Sequence, residues 1–235
     1  MDIISERIER VVSSEGGQFS VYFKNSSDWM TQHSIARRPV NHHEPEVVKY
    51  LLRNLELGMT FLDVGAGVGW FTLIGAHEVG SEGRVLAYEP LPPRCELLKE
   101  NVMLNNFENV QCFSLALSDR ERKVYMTGHH LMQLTSKKTD IPVKTISLDS
   151  HFETLGLKQA DVIKIDVEGE ERRVLYGMEQ TIKNNPQIKI ICEIHDPIIL
   201  GKESDKRLFH FMSELGFHAE ELGGVPPHWV FSKPR

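Results

Sequence analysis

The segment Phe61-Leu-Asp-Val-Gly-Ala-Gly-Val-Gly-Trp70 constrains the fold more than any other part of the chain. A short apolar run leads into glycines at alternate positions, Gly65, Gly67 and Gly69, and an apolar helical pattern follows from Phe71 to Val79. That order reads as strand, tight turn and helix. Glycine lacks a Cβ and tolerates positive φ, so it suits a backbone that must turn sharply or let another group come close. A second run, Arg84 to Tyr88, ends on the carboxylate of Glu89. An acid at the tip of the second strand of such a unit is placed to accept hydrogen bonds from the two hydroxyls of a ribose. The pattern points to an adenosine-containing ligand.

The details of the turn narrow the choice. A dinucleotide fingerprint, Gly-x-Gly-x-x-Gly, uses its third glycine to bring helix and strand together. Here that position is Trp70, the bulkiest replacement there is. Asp63 lies two residues before the first glycine, where it would repel a pyrophosphate and attract an α-ammonium group. S-adenosylmethionine carries an ammonium and an adenosine and no phosphate. The Asp-x-Gly-x-Gly-x-Gly pattern with Glu89 downstream resembles the cofactor-binding half of class I methyltransferases.

Composition sets the remaining bounds. The chain of 235 residues suits one large domain, or a domain with an appendage. Hydrophobic residues make up 40% and charged residues 26%, ordinary values for a globular protein. No apolar run approaches the ~20 residues of a membrane span. The N-terminus carries Asp2 and Glu6 without an apolar core, so no secretory signal is expected. Cys95, Cys112 and Cys192 lack Cys-x-x-Cys spacing and read as core thiols of a cytoplasmic protein. The formal net charge of −6 argues against a nucleic-acid partner. Arg37-Arg38, Lys137-Lys138 and Arg172-Arg173 are too short to be more than solvated surface.

Residues 1 to about 40 show no clear pattern and read as irregular or weakly helical. Helical spacing covers Glu44 to Leu57, with strands at Thr60–Val64 and Arg84–Tyr88 and a helix from about Arg94 to Asn105. A third strand is expected at Val110–Phe113, short strands at Lys123–Met126 and Ile141–Ile146, and a loop over Gly128–Asp140. Asp161–Asp166 is the fourth strand, Val174–Ile182 a helix, and Ile188–Ile194 the fifth strand. A helix over Ser204–Leu215 precedes a final pair, Phe217–Leu222 and Trp229–Phe231. Alternating strands and helices predict an α/β fold, a doubly wound and mostly parallel seven-stranded sheet of Rossmann-like type with a C-terminal antiparallel hairpin. Ligands of such sheets lie at the strand C-termini.

Several blocks then follow in order: Phe61 to Trp70, Glu89-Pro90, Leu97 to Val102, Ala116-Leu-Ser-Asp119, Ile165-Asp-Val-Glu-Gly169 and Glu193-Ile-His195. Together they resemble the FkbM family of methyltransferases, over about His43 to Trp229. The resemblance implies S-adenosylmethionine as donor and O-methylation of a hydroxyl on a sugar, glycolipid or natural product. A methyltransferase domain is expected over 44–235, with an extension or lid over 1–43. Asp63, Gly65, Ala66 and Gly67 would contact the methionine moiety, and Glu89 with Pro90 the ribose. Many class I enzymes place an acid for the adenine amino group after the third strand. Ser114-Leu115-Ala116 stands there instead, with Leu115 and Ala116 able to pack on the adenine. Glu44 resembles a position that closes over the cofactor, and a solvated helix N-terminus is the alternative. Asp166 would join the cofactor site.

An alcohol is a poor nucleophile at neutral pH and needs a base or a metal. Asp166 and Glu168 leave the fourth strand two residues apart, and Glu193 and His195 leave the fifth with the same spacing. His195 is the expected general base, oriented by Asp166 or Glu193. Two readings compete. Glu168 could serve only to cap the helix after Gly169, with Glu170 and Glu171 favouring its positive end. Alternatively Asp166, Glu193 and either His195 or Asp196 could hold Mg²⁺ or Mn²⁺. His42-His43 and His129-His130 are not expected to bind metal, and Tyr22 and Trp29 are candidates for a lid. RNA or protein acceptors, a non-catalytic S-adenosylmethionine-binding module and a homodimer through the terminal hairpin complete the expectations.

Overall fold

The computed structural model describes residues 7–14, 17–25, 31, 43–126, 134–135, 141–195 and 203–234. They fall into two compact units, Met1–Phe113 and Ser114–Arg235.

The first unit opens with an antiparallel hairpin, β1 (Arg7–Ser14) and β2 (Gly17–Lys24), in register from Arg7↔Lys24 to Ser14↔Gly17. This corrects the reading of the N-terminal stretch as irregular or weakly helical. Phe19, Val21 and Phe23 alternate with Ser20 and Tyr22, and Val21 and Phe23 are fully buried, the period of a half-buried strand. Helix α1 (Pro45–Asn54) buries Val47, Val48 and Leu51 along one stripe. Then β3 (Thr60–Val64), α2 (Trp70–Val79), β4 (Arg84–Tyr88), α3 (Pro92–Leu104) and β5 (Val110–Phe113) alternate. The three strands are parallel neighbours, with Phe61↔Val85 and Val85↔Val110 in register.

Strands β3 and β4 are buried at nearly every position, as strands covered on both faces must be. Helix α2 is buried on all sides, from Trp70 to Ala76 and at Val79, which is why its sequence is apolar without a polar face. The close helix–strand approach that a third turn glycine would have given is made one and a half turns later. A Cβ on Gly75 would fall 2.2 Å from the ring of Phe61.

The second unit holds a four-stranded sheet in the order β6-β9-β7-β8, from β6 (Ala116–Leu117), β7 (Arg122–Met126), β8 (Leu134–Thr135) and β9 (Ile141–Ile146). Strand β8 lies inside the expected loop, the rest of which is outside the described residues. Helix α4 (Leu148–Leu155), not foreseen, is capped by the Ser147 hydroxyl, which accepts from the Ser150 amide at 3.2 Å. Strands β10 (Val162–Ile165) and β11 (Lys189–Glu193) are parallel. The single helix expected between them is two, α5 (Glu171–Tyr176) and α6 (Glu179–Asn184). The break falls at Gly177, where a Cβ would sit 1.9 Å from the Ser118 carbonyl oxygen. Helix α6 then starts afresh, its Gln180 and Thr181 amides donating to the Asp149 carboxylate at 2.9 and 2.8 Å. After α7 (Glu203–Glu214), β12 (His218–Gly223) and β13 (His228–Ser232) form the antiparallel hairpin, and β13 also pairs antiparallel with β11. The fold class is the mixed α/β, mostly parallel one expected from the sequence. Among the described residues no helix is long and apolar enough to cross a membrane.

Replacing Gly75 with alanine pits two effects against each other. Helix propensity would gain ~1 kcal/mol, but Phe61 is fully buried and cannot yield, and overpacking costs about 1–3 kcal/mol. The overlap at 2.2 Å decides for destabilisation. Urea denaturation should show a lower midpoint for Gly75→Ala, and an unchanged or higher midpoint would contradict the packing account.

Candidate functional site

In the first unit the C-terminal ends of β3 and β4 enclose the glycine turn. Gly65, Gly67 and Gly69 all have positive φ, +85°, +56° and +100°, so the sequence folds here as its glycines require. The amides of Gly65 and Ala66 both donate to the Tyr88 carbonyl, at 2.9 and 3.0 Å. The Gly67 amide donates to Glu89 Oε2 at 2.9 Å, and the Leu91 amide donates to Glu89 Oε1, also at 2.9 Å. The Gly69 amide closes the turn onto the Ala66 carbonyl. Asp63, fully buried, accepts from the Thr72 hydroxyl at 2.6 Å.

This wiring bears on what the turn can hold. A phosphate-binding loop aims its amides at the ligand. Here the amides of Gly65, Ala66, Gly67 and Gly69 are spent on protein acceptors, so the loop is no pyrophosphate cradle. A carboxylate offers about four lone-pair sites, so an acid at this place suits ribose hydroxyls as well as the backbone amides it holds. Trp70, at the start of α2, is buried, and its indole N–H has no partner among the described residues. A ligand carboxylate at the turn would satisfy that donor. The donors and acceptors present therefore fit the amino-acid and ribose ends of S-adenosylmethionine.

The other expected cofactor residues are placed as follows. Glu44 stands at the N-cap of α1 with φ +49° and no capping hydrogen bond from its side chain, 3.5 Å from Nε2 of His43. Pro90 is half-buried beside Glu89. Leu115 is half-buried, and Ala116 is buried in β6, paired with Thr145. Tyr22 lies on β2, whereas Trp29, His42, His129, His130 and Asp196 fall outside the described residues. Burial pushes the Cys112 thiol up to about 12 and Cys192 well above its ordinary value, as befits core thiols.

In the second unit the ends of β10 and β11 bring together Asp166, Glu168, Glu193 and His195. His195 is buried, with Nδ1 2.8 Å from Glu171 Oε1 and Nε2 3.2 Å from Glu168 Oε2. Asp166 Oδ1 and Glu193 Oε1 each lie 3.8 Å from Nε2. Lys164 is buried on β10 and donates to Asp166 Oδ2 at 2.9 Å. His228 Nε2 is 3.5 Å from Glu193 Oε2. Glu168 reaches the imidazole because its backbone is left-handed, φ +53°, just before Gly169.

The charges fix one another. Burial alone would lower the His195 pKa, but hydrogen bonds to Glu168 and Glu171 and the charges of Asp166 and Glu171 outweigh it and raise it to about 11. Burial alone would raise Asp166, yet Lys164 and the imidazolium hold it down to about 2.

Sequence reasoning anticipated Asp166, Glu193 and His195 but missed Glu171, Lys164 and His228. Glu171, expected only to favour the positive end of a helix, is 2% exposed and turns inward onto His195. Glu168 is no helix cap: the Gly169 amide donates to Glu171 Oε1 at 2.9 Å. A signal was present in Val162-Ile-Lys-Ile165, since a lysine inside an apolar strand requires a buried counter-charge. Asp166, Glu168 and His195 form one group whose donors lie within 4.8 Å of one another, so beside Asp166 and His195 it is Glu168 that stands where the expected metal set had Glu193.

Residues 63–219 match the methyltransferase FkbM domain. The hexuronic acid methyltransferase AglP of Haloferax volcanii is 28% identical over 158 residues, 65% of this chain and 62% of its own length. The chain thus spans about three fifths of that relative. The 31-O-demethyl-FK506 methyltransferase FkbM of Streptomyces tacrolimicus is 29% identical over 188 residues, 63% of this chain and 70% of that one. Among solved structures, methyltransferase FkbM of Methylobacillus flagellatus aligns with a TM-score of 0.52 at 15% identity, over 76% of this chain and 44% of that one. Precorrin-6y C5,15-methyltransferase of Geobacter metallireducens gives 0.52 at 13% identity, over 85% and 92%. Both structures share the fold.

The charge balance around His195 is open to test. Its imidazole resonances should not titrate between pH 5 and 8.5, and Glu171→Gln, which removes a carboxylate partner, should bring the midpoint down. A wild-type midpoint near the ordinary histidine value of ~6.5 would contradict the geometry.

Proposed function

The chain belongs to the FkbM methyltransferase family, and we propose that it moves the methyl group of S-adenosylmethionine to a hydroxyl on a sugar or related small molecule. One observation carries the cofactor reading: the turn amides are spent on Tyr88, Ala66 and Glu89, leaving carboxylates rather than anion-binding amides to meet a ligand. The acceptor class is supported by two relatives whose names place their chemistry on a hexuronic acid and on demethyl-FK506. The net charge of −6 favours such an acceptor over RNA.

S-adenosylmethionine supplies an electrophilic methyl on a sulfonium, so the protein has to align the acceptor oxygen and accept its proton. The first unit is assigned the cofactor, through Asp63, the glycine turn and Glu89. The second unit is assigned the proton, with His195 as base, Glu193 beside it, and Asp166, Glu168 and Glu171 setting its charge. A pKa of about 11 leaves on the order of one imidazole in 10⁴ free at pH 7. Glu168 is the adjustable partner: its side chain is 37% exposed against 3% for Glu171. An acceptor hydroxyl that takes Glu168 as its own partner weakens one of the bonds holding the imidazole proton. A second reading rests on Asp166, Glu168 and His195 offering donors within 4.8 Å. Two carboxylates and an imidazole suit Mg²⁺ or Mn²⁺, which would lower the pKa of a bound hydroxyl.

Calorimetry with S-adenosylhomocysteine should give micromolar binding to the wild type and none with NAD, and Glu89→Ala should weaken the first roughly tenfold or more. Binding of NAD alone would sink the proposal. With a hydroxylated acceptor in hand, His195→Ala should cut turnover by ~10²–10⁴-fold with cofactor affinity little changed. Wild-type turnover should rise with pH above neutrality as the imidazolium loses its proton. Glu168→Gln should shift that rise to lower pH, because it withdraws a bond that favours the charged ring. Loss of turnover in EDTA, restored by Mg²⁺ or Mn²⁺, would select the metal reading instead.

A further inference from the structure

The glycine turn is held from a second side. Asn101 of α3 is fully buried, and its Nδ2 donates to the Val68 carbonyl, in the middle of the turn, at 2.7 Å. Its Oδ1 accepts from the Lys24 amide of β2, also at 2.7 Å. One helical turn later the side chain of Asn105 repeats the arrangement on the same strand. Its Oδ1 accepts from the Tyr22 amide at 2.8 Å and its Nδ2 donates to the Tyr22 carbonyl at 2.7 Å. Helix α3 thus offers β2 a short substitute for a neighbouring strand, built from side-chain amides at i and i+4.

The hairpin touches the turn region at two further points. Phe23 stacks on Trp70, the residue after Gly69, with ring centroids 5.9 Å apart. Phe19 stacks on His77 of α2 at 3.6 Å and an interplanar angle of 6°. A helix surface that only needed to cover β2 would require apolar side chains. The buried amide of Asn101 does something else, because its two ends are committed to two different segments.

We propose that Asn101 is a positioning residue that couples docking of the β1–β2 hairpin to the shape of the glycine turn, and so to cofactor affinity. This rests on the reading of the turn as the S-adenosylmethionine site. When the hairpin is docked, the Lys24 amide fixes the rotamer of Asn101, and Asn101 fixes the carbonyl of Val68. When it is undocked, Asn101 Oδ1 loses its partner and the side chain is free to release the turn. Coupling of this kind is reciprocal, so a ligand that favours the closed turn must also favour the docked hairpin.

The test uses the full chain with S-adenosylhomocysteine as probe, read by calorimetry and by amide hydrogen exchange of residues 17–24. In the wild type the thioether should bind and slow exchange across β2. Asn101→Asp keeps the acceptor for Lys24 but puts an oxygen against the Val68 carbonyl. It should bind roughly 5- to 150-fold more weakly and lose the ligand-dependent protection of β2. Asn105→Ala loosens the hairpin at Tyr22 without touching the turn, and it should also weaken binding. That result is one a merely structural Asn101 would not produce, and it stands even if Asn101→Asp folds poorly. Wild-type binding with β2 exchange unchanged, or Asn105→Ala binding as tightly as wild type, overturns the coupling while leaving the cofactor site in place. No wild-type binding at all overturns the cofactor reading and the coupling with it.

Discussion

The carboxylate of Glu89 is the hinge of the first unit. It is a single buried group that holds the Gly67 amide with one oxygen and the Leu91 amide with the other. The first bond ties the glycine turn to the end of β4, and the second fixes how the chain leaves β4 for α3. A neutral side chain of similar shape could accept only one of the two, and the orphaned amide would carry a desolvation cost of about 1–3 kcal/mol. The acid that sequence reasoning reserves for a ribose is therefore already a structural element. The turn keeps its shape through these protein contacts, and under the proposed function a ligand would add to a network that already exists.

The second unit solves a different electrostatic problem. Asp166, Glu168, Glu171 and Glu193 converge on His195, with Lys164 as the further cation beside Asp166. Carboxylates crowded at this density, with Glu171 and Glu193 buried, are tolerable only if positive charge stays with them. The imidazole provides that charge by keeping its proton, and the same bonds that stabilise the cluster hold that proton in place. The proposed role as base and the stability of the cluster therefore pull His195 in opposite directions. Partners of unequal burial meet the conflict, since Glu171 is fixed in the interior and Glu168 faces partly outward.

Much of this was legible in the residues. The bounds of β3 and β4 could be read directly, because strands covered on both faces are near-continuous apolar runs, here ended by glycine and by acid. Glu89, Asp63 and His195 stood out as chemistry at strand ends. The N-terminal hairpin was missed although Phe19, Val21 and Phe23 alternate, since the flanking polar residues diluted a short period-2 signal. Helices α5 and α6 were merged because nothing local marks Gly177 as the place where Ser118, some sixty positions earlier, presses on the backbone. Glu171 was misread for a related reason. A carboxylate at a helix start has a sufficient local explanation, and its turn toward His195 depends on a strand that follows it in the chain.

The same limit explains why Asn101 looked unremarkable within a helical run. Asparagine is a weak helix former, and its presence at the buried position 101 inside α3 calls for compensation from outside the helix. An amide side chain is a donor and an acceptor in one plane, so it can stand in for a peptide group at the edge of a strand. Leucine at 101 would pack as well and asparagine at an exposed position would cost less. Only a buried amide can satisfy the Lys24 N–H and the Val68 carbonyl at once. The residue type is therefore dictated by two backbone groups that belong to two different segments, β2 and the glycine turn.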